Sequence, residues 1–275
     1  MNKLKTLVCC IAKMENIYIR EWVEWYKSIG VTNICLYDNN DEEGEVFNDV
    51  IGDYIDSGFV IVKNLRGLEK MQIPSYQMCY DEYNKDYDWI CFFDADEFLE
   101  IENGKIFDFL SKDMFKDADG IRVCWKNFDD NDLITIENNN YSVSRFTRTL
   151  DENSIEQRLS KIILRGGLND IHFLLQPGGE HGIHLKCRVV DCHGNIHQNK
   201  SFILSERIWD NAWLNHYRFK TIEEFVKIKI KRLWPNMNKC DSEKRLNINT
   251  FWGYNKKTKQ KEEYLESIGL NIKSE

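Results

Sequence analysis

The sequence has 275 residues, 42% of them hydrophobic, which suffices for one large domain or one domain with an appended subdomain. No window reaches the ~18 consecutive apolar residues of a membrane-spanning helix, and the N-terminus lacks the layout of a signal peptide. The net charge of −8 argues against a nucleic-acid-binding protein. Nine cysteines, several of them inside apolar runs, indicate reduced core thiols in a cytoplasmic protein rather than a disulfide framework.

The first hundred residues alternate between predicted strands and predicted helices. The strands are predicted at 4–12, 31–37, 59–62 and 89–93, and the helices at 15–29, 46–55 and 74–84. The helices carry apolar residues at helical spacing, and Gly30 follows the first of them as a C-terminal cap. Strands separated by helices form right-handed βαβ units. The sequence therefore predicts an α/β fold with a mainly parallel central sheet and helices on both faces.

Beyond residue 99 the pattern is less regular. It predicts a helix at 106–115, strands at 120–125, 141–147 and 159–164, and a capping box at 221–224 that opens a basic helix. The second half of that helix is less well defined, because isoleucines and lysines alternate there.

Three acids follow the fourth predicted strand. Asp94, Asp96 and Glu97 lie within four residues at its carboxyl end, where they repel one another. Alternate side chains share one face of an extended chain, so Asp94 and Asp96 can reach one divalent cation while Glu97 points elsewhere. A solvated acidic turn is the alternative. Because Asp38 also ends a predicted strand, and ligands of such sheets gather at carboxyl ends of strands, we expect a functional site there.

Other chemistries lack their motifs. The chain has no GxGxxG after its first strand, no GxxxxGK[ST] and no G-x-S-x-G. A cluster of possible zinc ligands comprises His181, His184, Cys187, Cys192, His193 and His197. Its spacing has no paired C-x₂-C arrangement, so loop positions or polar core positions are favoured over a zinc site. His216 lies among aromatic residues just before the capping box, as a hydrogen-bonded core histidine or as a metal ligand.

Four segments of the sequence, in this order, resemble the glycosyltransferases of family 92, which are related to the broad family 2 group. They are residues 13–16 leading to 21–26, residues 34–39, residues 93–98, and residues 215–220 with 223–225 and 227. Arg145 and Lys161 resemble the basic positions that the family has between its acidic motif and its terminal histidine. The resemblance spans residues 4 to 232.

The resemblance implies a GT-A fold, the fold of nucleotide-diphospho-sugar transferases, with a UDP-sugar donor and Mn²⁺ or Mg²⁺. Asp94, Asp96 and His216 would bind the metal. Donor-binding residues would be Lys13, Glu15, Asp38, Asp94, Arg145 and Lys161. It also implies a catalytic domain at 1–215, with a nucleotide-sugar half at about 1–100 and an acceptor half at about 101–215, followed by a basic helical extension at 216–275.

The expected chemistry requires a base as well as a cation. Breaking a sugar–diphosphate bond builds negative charge that a divalent cation stabilises, and a carboxylate can take the proton of the acceptor hydroxyl in an inverting attack. Asp129, Asp130 and Asp132, on the loop after the fifth predicted strand, are the candidate bases, with Asp129 and Asp130 placed first. We therefore predict a metal-dependent hexosyltransferase, with galactosyl transfer as one specificity. Its acceptor would be a glycan or a lipid-linked saccharide in bacterial surface polysaccharide or lipopolysaccharide synthesis.

Two alternatives stay open. Phosphatases and phosphotransferases of the haloacid-dehalogenase kind also leave a strand with D-x-D, but their motif is expected near the N-terminus, whereas three strands precede it here. A nucleotide- or glycan-binding module without turnover is the other alternative.

The charge is unevenly distributed along the chain. Residues 216–261 hold 13 Lys and Arg against 4 Asp and Glu, a net charge of +9, which leaves −17 for the rest. The predicted membrane-facing residues are Lys227, Lys229, Lys231, Arg232, Trp234, Phe251, Trp252 and Tyr254. Cations and rings of this kind predict peripheral contact with the anionic inner face of the cytoplasmic membrane; a solvated basic helix is the alternative.

Overall fold

The computed structural model describes residues 4–102, 104–136, 141–175, 181–184, 187–197, 202–232 and 247–270. The strands of this part are β1 (Thr6–Ala12), β2 (Asn33–Asp38), β3 (Val60–Asn64), β4 (Trp89–Phe92), β5 (Glu97–Ile101), β6 (Gly120–Asn127), β7 (Ser160–Arg165), β8 (His172–Leu175), β9 (His181–His184), β10 (Val189–Asp191) and β11 (Ala212–His216). A nine-stranded sheet has the order β3-β2-β1-β4-β7-β6-β11-β5, with β10 paired to β6, while β8 and β9 form a separate antiparallel hairpin.

The helices of the described part flank this sheet. They are α1 (Ile19–Ser28), α2 (Asn48–Asp56), α3 (Gln72–Tyr83), α4 (Ile106–Leu110), α5 (Ser142–Arg145), α6 (Ile222–Glu224), α7 (Ile230–Arg232), α8 (Ile248–Trp252) and α9 (Lys259–Ser267). A π-helical turn, Phe225–Lys229, joins α6 to α7. Among these helices none is long and apolar enough to cross a membrane.

Pairing in the sheet confirms the predicted α/β class. Strands β3, β2, β1 and β4 run parallel to one another, and β7 runs antiparallel between β4 and β6. β1 is buried on both faces, as a central parallel strand must be. Its Val8 and Cys10 belong to the apolar cluster that contains α1, whereas Leu7 and Cys9 belong to the cluster that contains α3.

Several predicted elements differ from the structure. The predicted strand at 141–147 is the short helix α5, because the Glu21 carboxylate accepts hydrogen bonds from the backbone N–H groups of Ser142 and Val143 and so caps a helix from far away in sequence. The predicted helix at 106–115 is α4 followed by a 3₁₀ turn. Strands β5 and β11 were not predicted; each is five residues long and they pair with one another.

The C-terminal part packs onto the rest of the chain. Phe219, Phe225, Phe251 and Leu265 form an apolar cluster that joins the π-helical turn to α8 and α9. The Lys261 ammonium group lies 2.5 Å from the Asp130 carboxylate, and both side chains are fully buried. The predicted domain boundary at residue 216 coincides with the end of β11, and contacts cross it.

Aromatic side chains of α1 hold the turn that follows β4. The buried Trp22 indole N–H donates to the carbonyl oxygens of Asp94 at 3.1 Å and Glu97 at 2.9 Å. The Tyr26 hydroxyl donates to the same Glu97 carbonyl, and the Trp25 indole donates to the carbonyl of Leu99. These bonds satisfy carbonyls that neither β4 nor β5 pairs, and so they fix the backbone of the acidic motif.

Trp22→Phe tests this arrangement. The substitution removes a buried donor that two carbonyls share and leaves a gap at a fully buried position, so we expect about 2–4 kcal/mol of lost unfolding free energy. Trp25→Phe is the matched control: it removes one bond at a half-buried position and should cost about 1 kcal/mol. Urea denaturation followed by circular dichroism measures both, and equal losses would contradict the proposed role of Trp22.

Candidate active site

The Asp94 carboxylate lies at the end of β4 and is held on both of its oxygens. Oδ1 accepts hydrogen bonds from Gln72 and Tyr76 of α3, each at 2.9 Å. Oδ2 lies 2.7 Å from the ammonium group of Lys161 on β7. Two of the predicted donor-binding residues are thus in direct contact with each other, and α3 supplies two partners that were not predicted.

Glu97 is fully buried and lies near the same Lys161 ammonium group that pairs with Asp94. Its carboxylate accepts from the backbone N–H of Asp94 and lies 3.5 Å from Lys161. Burial, together with the charges of Asp94 and Asp96, raises the pKa of Glu97 to about 8, although the attraction of Lys161 opposes this shift. Burial would lower the pKa of Lys161, but Asp94 and Glu97 outweigh burial, so Lys161 keeps its charge.

Asp96 divides its two oxygens between different partners. Oδ1 lies 3.7 Å from Nε2 of His216, whereas Oδ2 lies 2.7 Å from the Lys229 ammonium and 3.8 Å from the Arg232 guanidinium. Burial alone would raise the pKa of Asp96, but Lys229, His216 and Lys220 outweigh it and lower the pKa, so the carboxylate is ionised. Lys229 ends the π-helical turn, a distortion that is common at functional sites.

The tautomer of His216 follows from its neighbours. The Asn127 amide nitrogen donates to Glu156 and Gln157 carbonyl oxygens, so its Oδ1 faces Nδ1 of His216 at 2.8 Å. Nδ1 therefore carries the proton, and Nε2 presents its lone pair towards Asp96. Burial lowers the pKa of His216 to about 3, although Asp96 opposes this shift, so the ring is neutral at physiological pH.

Asp96 and His216 have the chemistry of a divalent-cation site. An ionised carboxylate and an unprotonated imidazole nitrogen are ligands that Mn²⁺ accepts. Two ligands of one ion lie roughly 3 to 3.5 Å apart, close to the 3.7 Å found between them. Among the described residues no group of three or more His, Cys, Asp or Glu is arranged to hold a metal. The remaining donors would therefore come from a bound ligand. Asp94, predicted as a third metal ligand, instead pairs with Lys161.

A small pocket opens beside this pair of residues. Its lining contains four cations, Arg218, Lys220, Lys229 and Arg232, together with Glu15, Tyr18, Phe219, Glu224 and Ile228. Its volume is about 220 Å³, open solvent included. The four cations of this lining suit an anionic ligand group.

Three predicted donor-binding residues lie at or near the carboxyl ends of β1 and β2. Asp38 accepts from the Arg66 guanidinium at 2.8 Å. The exposed Asp41 accepts from Lys13 at 2.6 Å. Glu15 is buried and pairs with Arg232, which connects this edge to Asp96.

Arg145 and Asp130 are engaged in buried ion pairs. Arg145 donates to both carboxylate oxygens of Glu224, at 3.2 and 2.6 Å, and both side chains are buried. A guanidinium in this position is not available to a phosphate. Asp130 is equally buried against Lys261, which makes it inaccessible to an acceptor hydroxyl. Asp129 pairs with Arg148 at 2.6 Å and keeps some exposure.

Most of the residues predicted to face a membrane are used inside the protein. Lys229 and Arg232 contact Asp96, and Phe251 is buried in the C-terminal apolar cluster. Lys227 and Lys231 are exposed, and Trp234 lies outside the described residues. The charge excess of this region is thus partly explained by the acids that it neutralises, and peripheral membrane contact stays a prediction.

The Cys/His-rich stretch is only partly described. The Cys192 thiol is buried beside the carbonyl of Arg122, and the His193 ring lies 2.8 Å from Asp210. The side chains of His181 and His184 lie outside the described residues, so the zinc alternative is not tested by them.

The sequence model of glycosyltransferase family 92 matches residues 5–260, which is most of the chain. The chain belongs to glycosyltransferase family 92. It is 29% identical over 97 residues to a family 92 protein of Ricinus communis, and 28% identical over 92 residues to one of Oryza sativa subsp. japonica. These matches cover 35% and 34% of this chain but only 17% and 15% of the plant proteins.

Solved structures similar to this family 92 chain include S. aureus TarS in complex with UDP. The match covers 62% of this chain and 50% of the TarS chain, with 16% sequence identity and a TM-score of 0.41. The match to TarS in complex with UDP-GlcNAc covers 62% of this chain and 49% of the TarS chain, again with 16% sequence identity and a TM-score of 0.41.

Some of the residues predicted for the site of this family 92 member lie together in the structure. Asp96 and His216 do lie together, as do Asp94 and Lys161. The residues that were missed are Gln72, Tyr76, Asn127, Lys220, Lys229 and Arg232. The irregular alternation of isoleucine and lysine before Arg232 was the available signal, because it marks the π-helical turn.

The Arg145–Glu224 pair makes stability depend on pH. Burial would raise the pKa of Glu224, but Arg145 outweighs burial and holds it below its ordinary value of 4.5. Its stabilisation is therefore fully present above pH 4.5 and is lost as the pH falls below that value. Glu224→Gln should cost on the order of 3 kcal/mol at pH 7.

Urea midpoints from pH 3 to pH 7 check this prediction. The difference between wild type and Glu224→Gln should shrink as the pH falls below 4.5. The exposed Glu43→Gln is the control and should follow the wild type throughout. A difference that is constant with pH would contradict the buried pair as its source.

The hydrogen bond from Asn127 predicts the state of His216. In ¹⁵N NMR spectra of histidine-labelled, metal-free protein we expect Nδ1 protonated and Nε2 unprotonated, with the ring still neutral at pH 5. Asn127→Ala removes the acceptor and should give a mixture of tautomers. An imidazolium at pH 5 in the wild type, or a proton on Nε2, would refute the assignment.

Proposed function

We propose that this chain is a metal-dependent glycosyltransferase that moves a sugar from a nucleoside-diphosphate donor, first of all a UDP-sugar, to an acceptor hydroxyl. The observation that carries the proposal is the pair formed by Asp96 and His216, 3.7 Å apart beside a pocket with four cations. Membership of family 92 supports the same reaction class.

The residues of the pocket suit a diphosphate. A divalent cation held by Asp96 and His216 would stabilise the negative charge that develops on the leaving diphosphate. Lys220, Lys229 and Arg232 would contact the same phosphate oxygens, because they surround Asp96 and line the pocket. Charged donors of this kind act more strongly in a buried site than in water.

The other half of the donor would extend along the carboxyl edge of the sheet. Asp38, with Arg66 beside it, ends β2 and would bind the nucleoside, with Lys13 and Glu15 on the adjoining loop. Asp94 and Lys161 would face the ribose and the sugar from the end of β4. These assignments rest on position at the edge where ligands of parallel sheets bind.

The proton of the acceptor would go to Asp129. Of the two candidate bases placed first, Asp129 retains exposure, and it lies two residues from Asn127, which orients His216. A base so placed would deprotonate the acceptor as the anomeric carbon is attacked from the face opposite the diphosphate, which inverts its configuration. The acceptor would be a glycan or a lipid-linked saccharide. The relatives matched are plant proteins, so galactosyl specificity and a role in bacterial surface polysaccharide or lipopolysaccharide synthesis stay predictions.

Asp96→Ala tests the proposal. We expect UDP-sugar turnover, measured as UDP release and as glycosylated product by mass spectrometry, to fall at least ~10²-fold, because charge stabilisation at the leaving group is lost. EDTA should abolish wild-type turnover, and Mn²⁺ should restore it. Asp86→Ala, an exposed acid close to the opposite end of β4, is the control and should retain full activity.

The outcomes separate the alternatives. Full turnover in EDTA would refute metal dependence. Phosphate release without sugar transfer would indicate a phosphatase. Binding of UDP-sugars with Mn²⁺ but without any product, across a panel of donors and glycan acceptors, would indicate a binding module.

A further inference from the structure

Trp125 lies at the centre of the candidate site and has no part in the function argued so far. It is on β6, whose neighbours β7 and β11 carry Lys161 and His216. The Trp125 ring is 4.4 Å from the His216 ring, centroid to centroid, and the Lys161 ammonium lies 6.0 Å from the centroid of the Trp125 ring. Trp125 therefore joins the Asp94–Lys161 pair to the Asp96–His216 pair.

The indole N–H of Trp125 is a buried donor without a hydrogen-bond partner among the described residues. Its backbone, by contrast, is fully engaged: the N–H donates to the Leu159 carbonyl at 2.7 Å, and the carbonyl accepts from the Trp209 indole at 2.9 Å. The backbone of Trp125 is therefore held in place, whereas its indole N–H makes no hydrogen bond among the described residues. An unused buried donor costs free energy that a ligand oxygen would recover.

Four other tryptophan side chains use their indole N–H in a hydrogen bond. The indoles of Trp22, Trp25, Trp209 and Trp213 all donate hydrogen bonds. Trp252 shares the unpartnered N–H of Trp125, but it packs in the C-terminal apolar cluster. Trp125 thus combines an unused donor with the surroundings of a binding site.

The ligand group that Trp125 faces follows from the site around it. The diphosphate would lie at Asp96, His216 and the cations beside them, and the transferred sugar is bonded directly to that diphosphate. A residue in contact with His216 and 6.0 Å from the Lys161 ammonium group is therefore placed next to the sugar. Because His216 and Lys161 already lie against the ring, the N–H edge is the part of Trp125 that offers a new contact.

We propose that the indole N–H of Trp125 donates a hydrogen bond to a hydroxyl of the transferred sugar and so helps to select the donor. The inference rests on the proposed function, because it assumes a nucleoside-diphosphate sugar in this site. A buried donor aimed at a substrate hydroxyl discriminates against sugars that lack it, because the donor is then left unpaired.

Trp125→Phe is the decisive variant, because it keeps an aromatic ring beside His216 and removes only the N–H edge. Calorimetric titrations with Mn²⁺ present would compare UDP with UDP-glucose, UDP-galactose and UDP-GlcNAc. We expect the affinity for the preferred UDP-sugar to fall about 2- to 10-fold and the affinity for UDP to stay unchanged. Trp252→Phe removes the other unpartnered N–H and should leave both affinities unchanged.

Deoxy-sugar analogues of the preferred donor identify the hydroxyl. The analogue that lacks the accepted hydroxyl should bind wild type and Trp125→Phe equally, whereas the other analogues should still distinguish the two proteins. Should Trp125→Phe fail to fold, ¹⁵N-tryptophan labelling of the wild type gives a second measurement. With Mg²⁺ in place of the paramagnetic Mn²⁺, the Trp125 indole N–H resonance should move further on addition of the UDP-sugar than on addition of UDP.

The possible failures are distinguishable. If the wild type binds neither UDP nor any UDP-sugar, the proposed function is refuted and the inference falls with it. If the wild type binds UDP-sugars and Trp125→Phe binds them equally well, the inference alone is refuted. An equal loss of affinity for UDP and UDP-sugar would also overturn it, since Trp125 would then act by supporting His216.

Discussion

The site depends on the neutralisation of three acids that the turn after β4 brings together. The buried Asp96 and Glu97 lie close to the partly exposed Asp94 and need cations beside them, because each ionised carboxylate raises the pKa of the others. The Lys161 ammonium group pairs with Asp94 and Glu97, and the Lys229 ammonium group pairs with Asp96. The aromatic residues of α1 then hold the backbone of the turn in place.

This division of charge explains why the C-terminal part belongs to the site. Lys229 and Arg232 come from the π-helical turn and the helix after it, and they reach Asp96 and Glu15 near the ends of β4 and β1. Two buried ion pairs, Arg145–Glu224 and Lys261–Asp130, connect the same region to α5 and to the loop after β6. The positive excess at 216–261 is therefore partly a counterpart of the acids on the rest of the chain.

A chain of hydrogen bonds gives His216 its chemical state. Gln157 and Glu156 fix the amide of Asn127, Asn127 fixes the proton on Nδ1, and burial keeps the ring neutral. Outer partners of this kind orient metal ligands in proteins generally. Trp125 completes this arrangement, because it packs against His216 and has its backbone bonded on both sides.

The sequence alone determined the α/β class, the positions of the first four strands along the chain and the acidic motif at the end of β4. These features depend on periodicity and on neighbours along the chain. It also indicated His216 and the capping box of Thr221 and Glu224, which is present. The tertiary structure decided which charges meet: Lys161 lies 67 residues from Asp94, and Lys229 lies 133 residues from Asp96. It likewise directed Arg145 to Glu224 rather than to the pocket, and let Glu21 cap α5 where the local pattern indicated a strand. Local periodicity records burial, whereas the partner of a buried charge depends on how distant segments pack, and that information is not contained in any short stretch of the chain.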